Sequence, residues 1–251
     1  ETQGSNISLC FCVSVVGFTM TYYDYILSGG GLAGLSLAYN LINSPLRDRS
    51  ILIVDKDANP LGYAGSPGAI FELDLTTLEL RLVGTSAQLS EPVDAILEST
   101  GLILVVDIDA NPSGLYPHAG SLFEVDPSSG QVRPLPHPAN TFVDPIGIAE
   151  GLDRKVFVAD FSANPLHLGG NTGCVFIVDR LNGNAVQAFS ADSLYVDPTD
   201  VIVRPDGSLI VADRDANPFG LPPRDYGALF QVPRGGGRPS IFSGSPLQYG
   251  P

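Results

Sequence analysis

Short apolar runs broken by turn residues dominate the chain beyond residue 50. In the stretch around residues 146 to 190, Val156-Phe157-Val158-Ala159 and Val175-Phe176-Ile177-Val178 are near-continuous apolar runs, the pattern of strands buried on both faces. Gly, Pro, Asn and Asp separate them, so four strands are expected there, at roughly Ile146 to Glu150, Lys155 to Asp160, Gly173 to Asp179 and Ala185 to Ser190. Upstream, Tyr25-Ile26-Leu27 and Ile51-Leu52-Ile53-Val54 read as two further strands, with a helix between them.

The same pattern recurs along the chain. Asp55-Lys56-Asp57-Ala58-Asn59-Pro60 returns as Asp107-Ile108-Asp109-Ala110-Asn111-Pro112, Asp160-Phe161-Ser162-Ala163-Asn164-Pro165 and Asp213-Arg214-Asp215-Ala216-Asn217-Pro218, the asparagines stepping by 52, 53 and 53 residues. A second track, Ile70-Phe71, Leu122-Phe123, Val175-Phe176 and Leu229-Phe230, steps by 52, 53 and 54, and a third, Pro92, Pro145, Pro198 and Pro251, steps by 53 throughout. Three tracks in one register define a repeat of 52 to 54 residues. Four strands in a unit of that length make one blade of a β-propeller, so the expected fold is all-β with about 3.7 blades over residues 51–251. The local pattern, as in Asp144-Pro145-Ile146-Gly147-Ile148-Ala149 followed by Val156-Phe157-Val158-Ala159-Asp160, resembles NHL-repeat and gluconolactonase-like or strictosidine-synthase-like propellers. The first repeat begins at its second strand, and the place of its first strand is expected to be taken by the upstream helix. An array short of a full ring would close by self-association or with further blades.

That upstream helix belongs to a second pattern. Strand Tyr25-Ile26-Leu27 leads into Gly29-Gly30-Gly31-Leu32-Ala33-Gly34, and strand Ile51 to Asp55 follows the helix, giving a Rossmann-like βαβ unit over residues 20–57 that shares strand 51–57 with the first blade. Its physical logic is a tight turn at Gly29, backbone approach to a pyrophosphate at Gly31, close helix packing at Gly34, and Asp55 placed to meet ribose hydroxyls. Residues 20–57 resemble the N-terminus of bacterial lycopene cyclases, where this unit binds the ADP half of FAD. That resemblance implies Gly29, Gly31, Gly34 and Asp55 as cofactor contacts. No later flavin motif or substrate domain follows, and one βαβ unit cannot enclose a dinucleotide.

Composition narrows the function. Hydrophobic residues make up 44% and charged residues 16%, with 28 Gly and 21 Pro, a turn-rich balance unlike a helical bundle. Acids outnumber Lys and Arg by 27 to 13, and the net charge of −14 disfavours nucleic acid or an anionic membrane as partner. Three cysteines supply neither a disulfide scaffold nor a four-ligand zinc site. The apolar run from Ile7 to Phe18 is too short and interrupted to span a membrane. Residues 1–19, ahead of the single methionine Met20, read as upstream sequence or an atypical leader. An extracellular or periplasmic location follows if they act as a leader, a cytoplasmic one if translation starts at Met20.

The repeated acidic loop admits three readings. Oxygen side chains at positions 1, 3 and 5 of a tight loop are how calcium loops begin, which nominates Asp55, Asp57, Asn59, Asp107, Asp109, Asn111, Asp160, Asn164, Asp213, Asp215 and Asn217. The structural alternative has the same Asp and Asn capping their own backbone, with Pro fixing the next bend. A lactonase-like hydrolase, as the propeller resemblance implies, would gather a divalent metal among Asp94, Asp200, Asn111, Asn164 and Asn217. Inter-blade links add Glu91, Asp144 and Asp197 to the same face. His118, His137 and His167 read as loop residues, Cys174 as a core residue, and Arg234-Gly235-Gly236-Gly237-Arg238 as a hairpin turn. The expected role is a non-enzymatic binding or scaffold protein, its acidic loop face meeting a protein or small-molecule ligand and calcium as a candidate. The competing classes are an FAD-dependent oxidoreductase reduced to its nucleotide-binding start, and the hydrolase.

Overall fold

The computed structural model describes residues 25–28, 50–63, 68–110, 112, 119–138, 141–169, 173–220 and 227–243. Sixteen strands form four sheets of four. The first holds β1 (Tyr25–Ser28), β2 (Ser50–Asp55), β3 (Ala69–Asp74) and β4 (Leu80–Thr85). The second holds β5 (Pro92–Leu97), β6 (Ile103–Asp107), β7 (Ser121–Val125) and β8 (Val132–Pro134). The third holds β9 (Pro145–Glu150), β10 (Lys155–Asp160), β11 (Cys174–Asp179) and β12 (Ala185–Ala191). The fourth holds β13 (Pro198–Val203), β14 (Leu209–Asp213), β15 (Ala228–Val232) and β16 (Ser240–Ser243). In the last three sheets every neighbouring pair is antiparallel, in the order of the chain. These are propeller-type blades, and the strands anticipated for the third repeat agree with it to within a residue at each end.

The first sheet departs from that plan. Its first-strand place is filled by β1, not by a helix, and β1 runs parallel to β2, with Tyr25 opposite Ile51 and Ser28 opposite Val54. A parallel pair needs a long crossover, and residues 29–49 supply the length. They lie outside the described residues, as do Gly29, Gly31 and Gly34. Strand β2 pairs antiparallel with β3 on its other side, so one strand serves both the parallel pair and the blade.

The chain divides into two compact units, the first holding the sheets β1–β4 and β5–β8, the second β9–β12 and β13–β16. In each unit the core lies between its two sheets. Leu52, Val54 and Ile70 from the first sheet meet Ala95, Ile103, Val105, Phe123 and Val125 from the second, all buried. The second unit repeats this with Ala149, Phe157, Ala159 and Val175 against Val201, Leu209, Val211, Phe230 and Val232. Tyr195 is enclosed there edge-on to Phe230 at 5.4 Å, its hydroxyl 3.0 Å from Ser190 Oγ.

The proline track of the repeat has a packing cause. A Cβ on Gly68 would come within 2.2 Å of Pro92, and one on Gly173 within 2.2 Å of Pro198, so the glycine before β3 and the one before β11 each seat the ring that opens the following sheet. The glycine-rich hairpin between β15 and β16 is likewise a docking device. Gly237 N–H donates to Phe189 O at 2.8 Å, and Gly236, at φ +80°, lies so close to that carbonyl that a Cβ would fall 2.6 Å from it.

Candidate functional site

The four acidic loops follow the second strand of each blade, at β2, β6, β10 and β14. Their first aspartate is turned inward. Asp160, fully buried, accepts hydrogen bonds from the backbone N–H groups of Val143 (2.7 Å), Asp144 (3.1 Å), Ser162 (3.1 Å) and Ala163 (2.9 Å). Asp213 takes the same four places from Val196 (2.8 Å), Asp197 (3.0 Å), Asp215 (3.2 Å) and Ala216 (2.9 Å). Asp107 accepts from Ser90 (2.7 Å), Glu91 (2.9 Å) and Asp109 (3.2 Å). Each carboxylate therefore staples the link that enters its blade to the loop that leaves its second strand. Asp55 accepts from Asp57 N–H at 2.9 Å.

The fifth position is also turned onto backbone. Asn164 Oδ1 accepts from Leu168 N–H at 2.8 Å while its Nδ2 donates to Leu168 O at 2.8 Å. Asn59 makes the same pair with Tyr63, both at 2.9 Å. A side-chain amide offering one donor and one acceptor closes a five-residue loop in this way, and the proline that follows fixes the bend. Asn111 lies outside the described residues.

Burial dominates the electrostatics of the staples. It pushes the carboxyls of Asp107 and Asp160 up to about 6, although the donated amide bonds pull the other way, and it raises that of Asp213. Asp200 is likewise pushed up to about 6 by burial, with Val201 N–H at 2.7 Å opposing it. Asp94, in the corresponding place of β5, is buried and takes Ala95 N–H at 2.8 Å. Where β9 has Gly147 at this place, a Cβ would sit 2.7 Å from Asp200 Cα, so the glycine lets the fourth sheet's first strand approach.

The third position and the link acids Glu91 and Asp144 face outward, whereas the link acid Asp197 is buried. Asp57 and Asp109 are exposed, and Glu91, Asp144 and Asp215 are partly so. Sequence reasoning passed over their counter-charges, which occupy the second position of two loops. Arg214 reaches Asp197 Oδ2 at 2.7 Å and Asp215 Oδ2 at 3.2 Å. Burial and the neighbouring Asp215 raise the Asp197 carboxyl, with Arg214 opposing them. Lys56 lies 3.3 Å from Glu91 and 3.7 Å from Asp57. Ile108 and Phe161 hold the second position in the other two loops.

Among the described residues no three His, Cys, Asp or Glu side chains form a cluster that could hold a metal ion. His137 packs edge-on against Phe142 at 5.0 Å, His167 is exposed in its loop, and His118 lies outside the described residues. Cys174 is buried on β11 and its thiol is pushed far up by burial. No described helix is long and apolar enough to cross a membrane.

Three antiparallel four-stranded sheets, with a further one that departs only in its parallel first pair, define a propeller-like fold. Among solved structures the chain is similar to one in a nidogen/laminin complex, at 14% identity over 71% of this chain and 58% of that one, with a TM-score of 0.51. It is also similar to a gluconolactonase from Xanthomonas campestris (16% identity, 71% and 56% covered, TM-score 0.48) and to regucalcin, a calcium-binding protein from Agrobacterium tumefaciens (15%, 70% and 52%, TM-score 0.49). The chain thus spans little more than half the length of these structures. No protein-family model and no curated protein matches it.

Proposed function

We propose that the protein is a propeller-type binding or scaffold module whose outward-facing link and loop acids form the interaction surface, with calcium as a ligand. The observation that carries this reading is the division of labour inside the repeated motif. Positions one and five are consumed in shaping the loop, which frees position three and the link acid to present charge from a fixed frame. A hard cation needs only a few carboxylate oxygens when backbone carbonyls and water complete its shell. The nomination of all three side-chain positions as ligands is thereby narrowed to Asp57, Asp109 and Asp215 with the link acids Glu91 and Asp144. The hydrolase reading draws no such support, because Asn164, one of its required ligands, has both side-chain polar atoms on Leu168.

The test is calcium titration of the full chain by calorimetry, with thermal unfolding alongside. Saturable binding with a matching rise in Tm, lost in the D57N/D109N/D215N triple variant, supports the reading. Absence of heat and of any shift removes calcium from it.

A second reading rests on the parallel pairing of β1 with β2, the arrangement a dinucleotide-binding unit requires. Flavin absorbance in the purified protein supports it; a colourless protein that takes up no added FAD overturns it.

A further inference from the structure

The turn that closes an acidic loop presents one more side chain. Gly62 N–H donates to Asn59 O at 3.2 Å, His167 N–H to Asn164 O at 3.1 Å and Gly220 N–H to Asn217 O at 3.0 Å, so the proline and the residue after it are the two corners of a tight turn. All three turns end on a left-handed residue, at φ +66°, +52° and +65°; the middle one keeps that conformation although His167 stands where the others have glycine. The second corner is Leu61, Leu166 or Phe219, exposed by 59%, 57% and 45%. Leu61 and Leu166 stay exposed although a following sheet, β5–β8 and β13–β16 respectively, is packed in place within the same unit. The turn itself asks for no apolar group, since the second repeat has Ser113 at this register. A lone exposed leucine is ordinary on any surface. Here a large apolar side chain is set at one corner of the motif in three repeats, each time in the loop whose third position and link present charge.

We propose that in each unit these corners, with the acids of their loops and links, form a docking surface for a protein segment in which Lys or Arg alternates with apolar residues. This rests on the reading of the loop face as the interaction surface and adds the chemistry of the partner. The acids set the partner's sign. In the first unit Leu61 shares its loop with the exposed Asp57, and the next loop adds Asp109. In the second unit Phe219 shares its loop with Asp215, and Asp160 ties the Asp144 link to the loop that ends in Leu166, accepting from Asp144 and Ser162 N–H at 3.1 Å each. The cations of these loops, Lys56 and Arg214, are each shared between two acids, so the face stays acidic. A second copy, itself at −14, and an anionic lipid surface would both bring like charge against it. A segment of alternating cationic and apolar side chains answers both halves of the surface: its charges meet carboxylates while its apolar groups take the corners out of water.

Fluorescence anisotropy of the full chain with two labelled synthetic peptides of equal length and charge tests this, one alternating Lys with Leu and the other Lys with Ser. The expected result is saturable binding of the Lys-Leu peptide, at least about tenfold tighter than that of the Lys-Ser peptide and weakened by added salt. The L61S/L166S/F219S variant, which puts at each corner the residue the second repeat already has, loses the tenfold advantage with Tm unchanged. L152S/L181S, which removes apolar groups exposed by 49% and 66% on the hairpins at the other end of the third sheet, keeps it. Equal binding of the two peptides overturns the proposal, and so does an advantage that survives L61S/L166S/F219S. Flotation with phosphatidylserine vesicles that is lost in the same variant overturns it too, by giving the corners to a lipid surface. Chelator is present in every peptide measurement, so a failure of calcium to bind leaves this result as it is, and a failure of the peptide leaves the calcium titration as it is.

Discussion

Replacing Asp160 with alanine separates the structural from the metal reading of the acidic loops. Alanine removes the acceptor of four backbone N–H groups, on Val143, Asp144, Ser162 and Ala163, at a site with no exposure. Stranding a buried donor costs about 1–3 kcal/mol, part of which is recovered where the loop relaxes to admit water, and removal of the buried, unfavourably solvated charge returns some of the rest. The net loss works out at about 3–5 kcal/mol, within the range for breaking a buried charged network. At about 2–4 °C per kcal/mol for a chain of this length, Tm falls by about 6–20 °C. D213A, with the same four donors, falls alongside it. Among the described residues Asp55 takes one amide, that of Asp57, so D55A on this partly exposed loop costs about 1 kcal/mol. The assay is urea and thermal unfolding of all three variants, each run with calcium and with chelator. Equal costs for D55A and D160A, or a cost that disappears on chelation, refutes the staple.

The raised carboxyls give a pH prediction. Asp107 and Asp160 hold their protons up to about 6 in the folded chain but only to about 3.9 unfolded, so between those values the folded state binds more protons and stability falls as pH rises. Each contributes up to about 3 kcal/mol, present below the unfolded value and lost by the time pH passes 6; D160N, measured by Tm against pH, flattens its share of that slope. G173A drives a methyl into Pro198 at 2.2 Å and lowers stability by about 2 kcal/mol or more, whereas G169A, with open space around it, leaves the unfolding midpoint within about 0.5 kcal/mol of the parent. Y195F removes the hydroxyl that meets Ser190 in the second unit's core and costs about 1 kcal/mol by the same measurement.

Much of this fold was legible because a repeat states its structure several times. The apolar runs Val156 to Ala159 and Val175 to Val178 gave strands that need no environment to be recognised, and the strand ends fell where Gly, Asp and Pro placed them. What could not be read was filling. Nothing local in Tyr25-Ile26-Leu27 says that it takes the place of the first blade's first strand, where a helix was expected; that shows only in its parallel pairing with β2. The proline track was visible as spacing alone, because its partner, the glycine before the third strand, lies about 25 residues earlier and shows its purpose only when Gly173 meets Pro198.

The candidate site was harder for a chemical reason. A carboxylate that binds calcium and one that caps four amides are the same residue at the same place in the same loop, and spacing records the convergence of ligands without saying on what they converge. Alternation of Asp, Asp and Asn in a tight loop suits either a cation or the loop's own amides. Burial breaks the tie: a first-position aspartate sealed from solvent and met by four N–H dipoles is already neutralised by backbone, and a cation brought there would have to displace donors, not fill a vacancy. The positions left for recognition are those the motif varies. Ser162 replaces an acid at position three, and Lys56 and Arg214 introduce cations at position two, so the charge each loop presents differs while its frame does not. On the proposed reading such a surface is tuned by substitutions outside the staple, and D215N alters calcium affinity in the calorimetric titration without the stability loss that D213A carries.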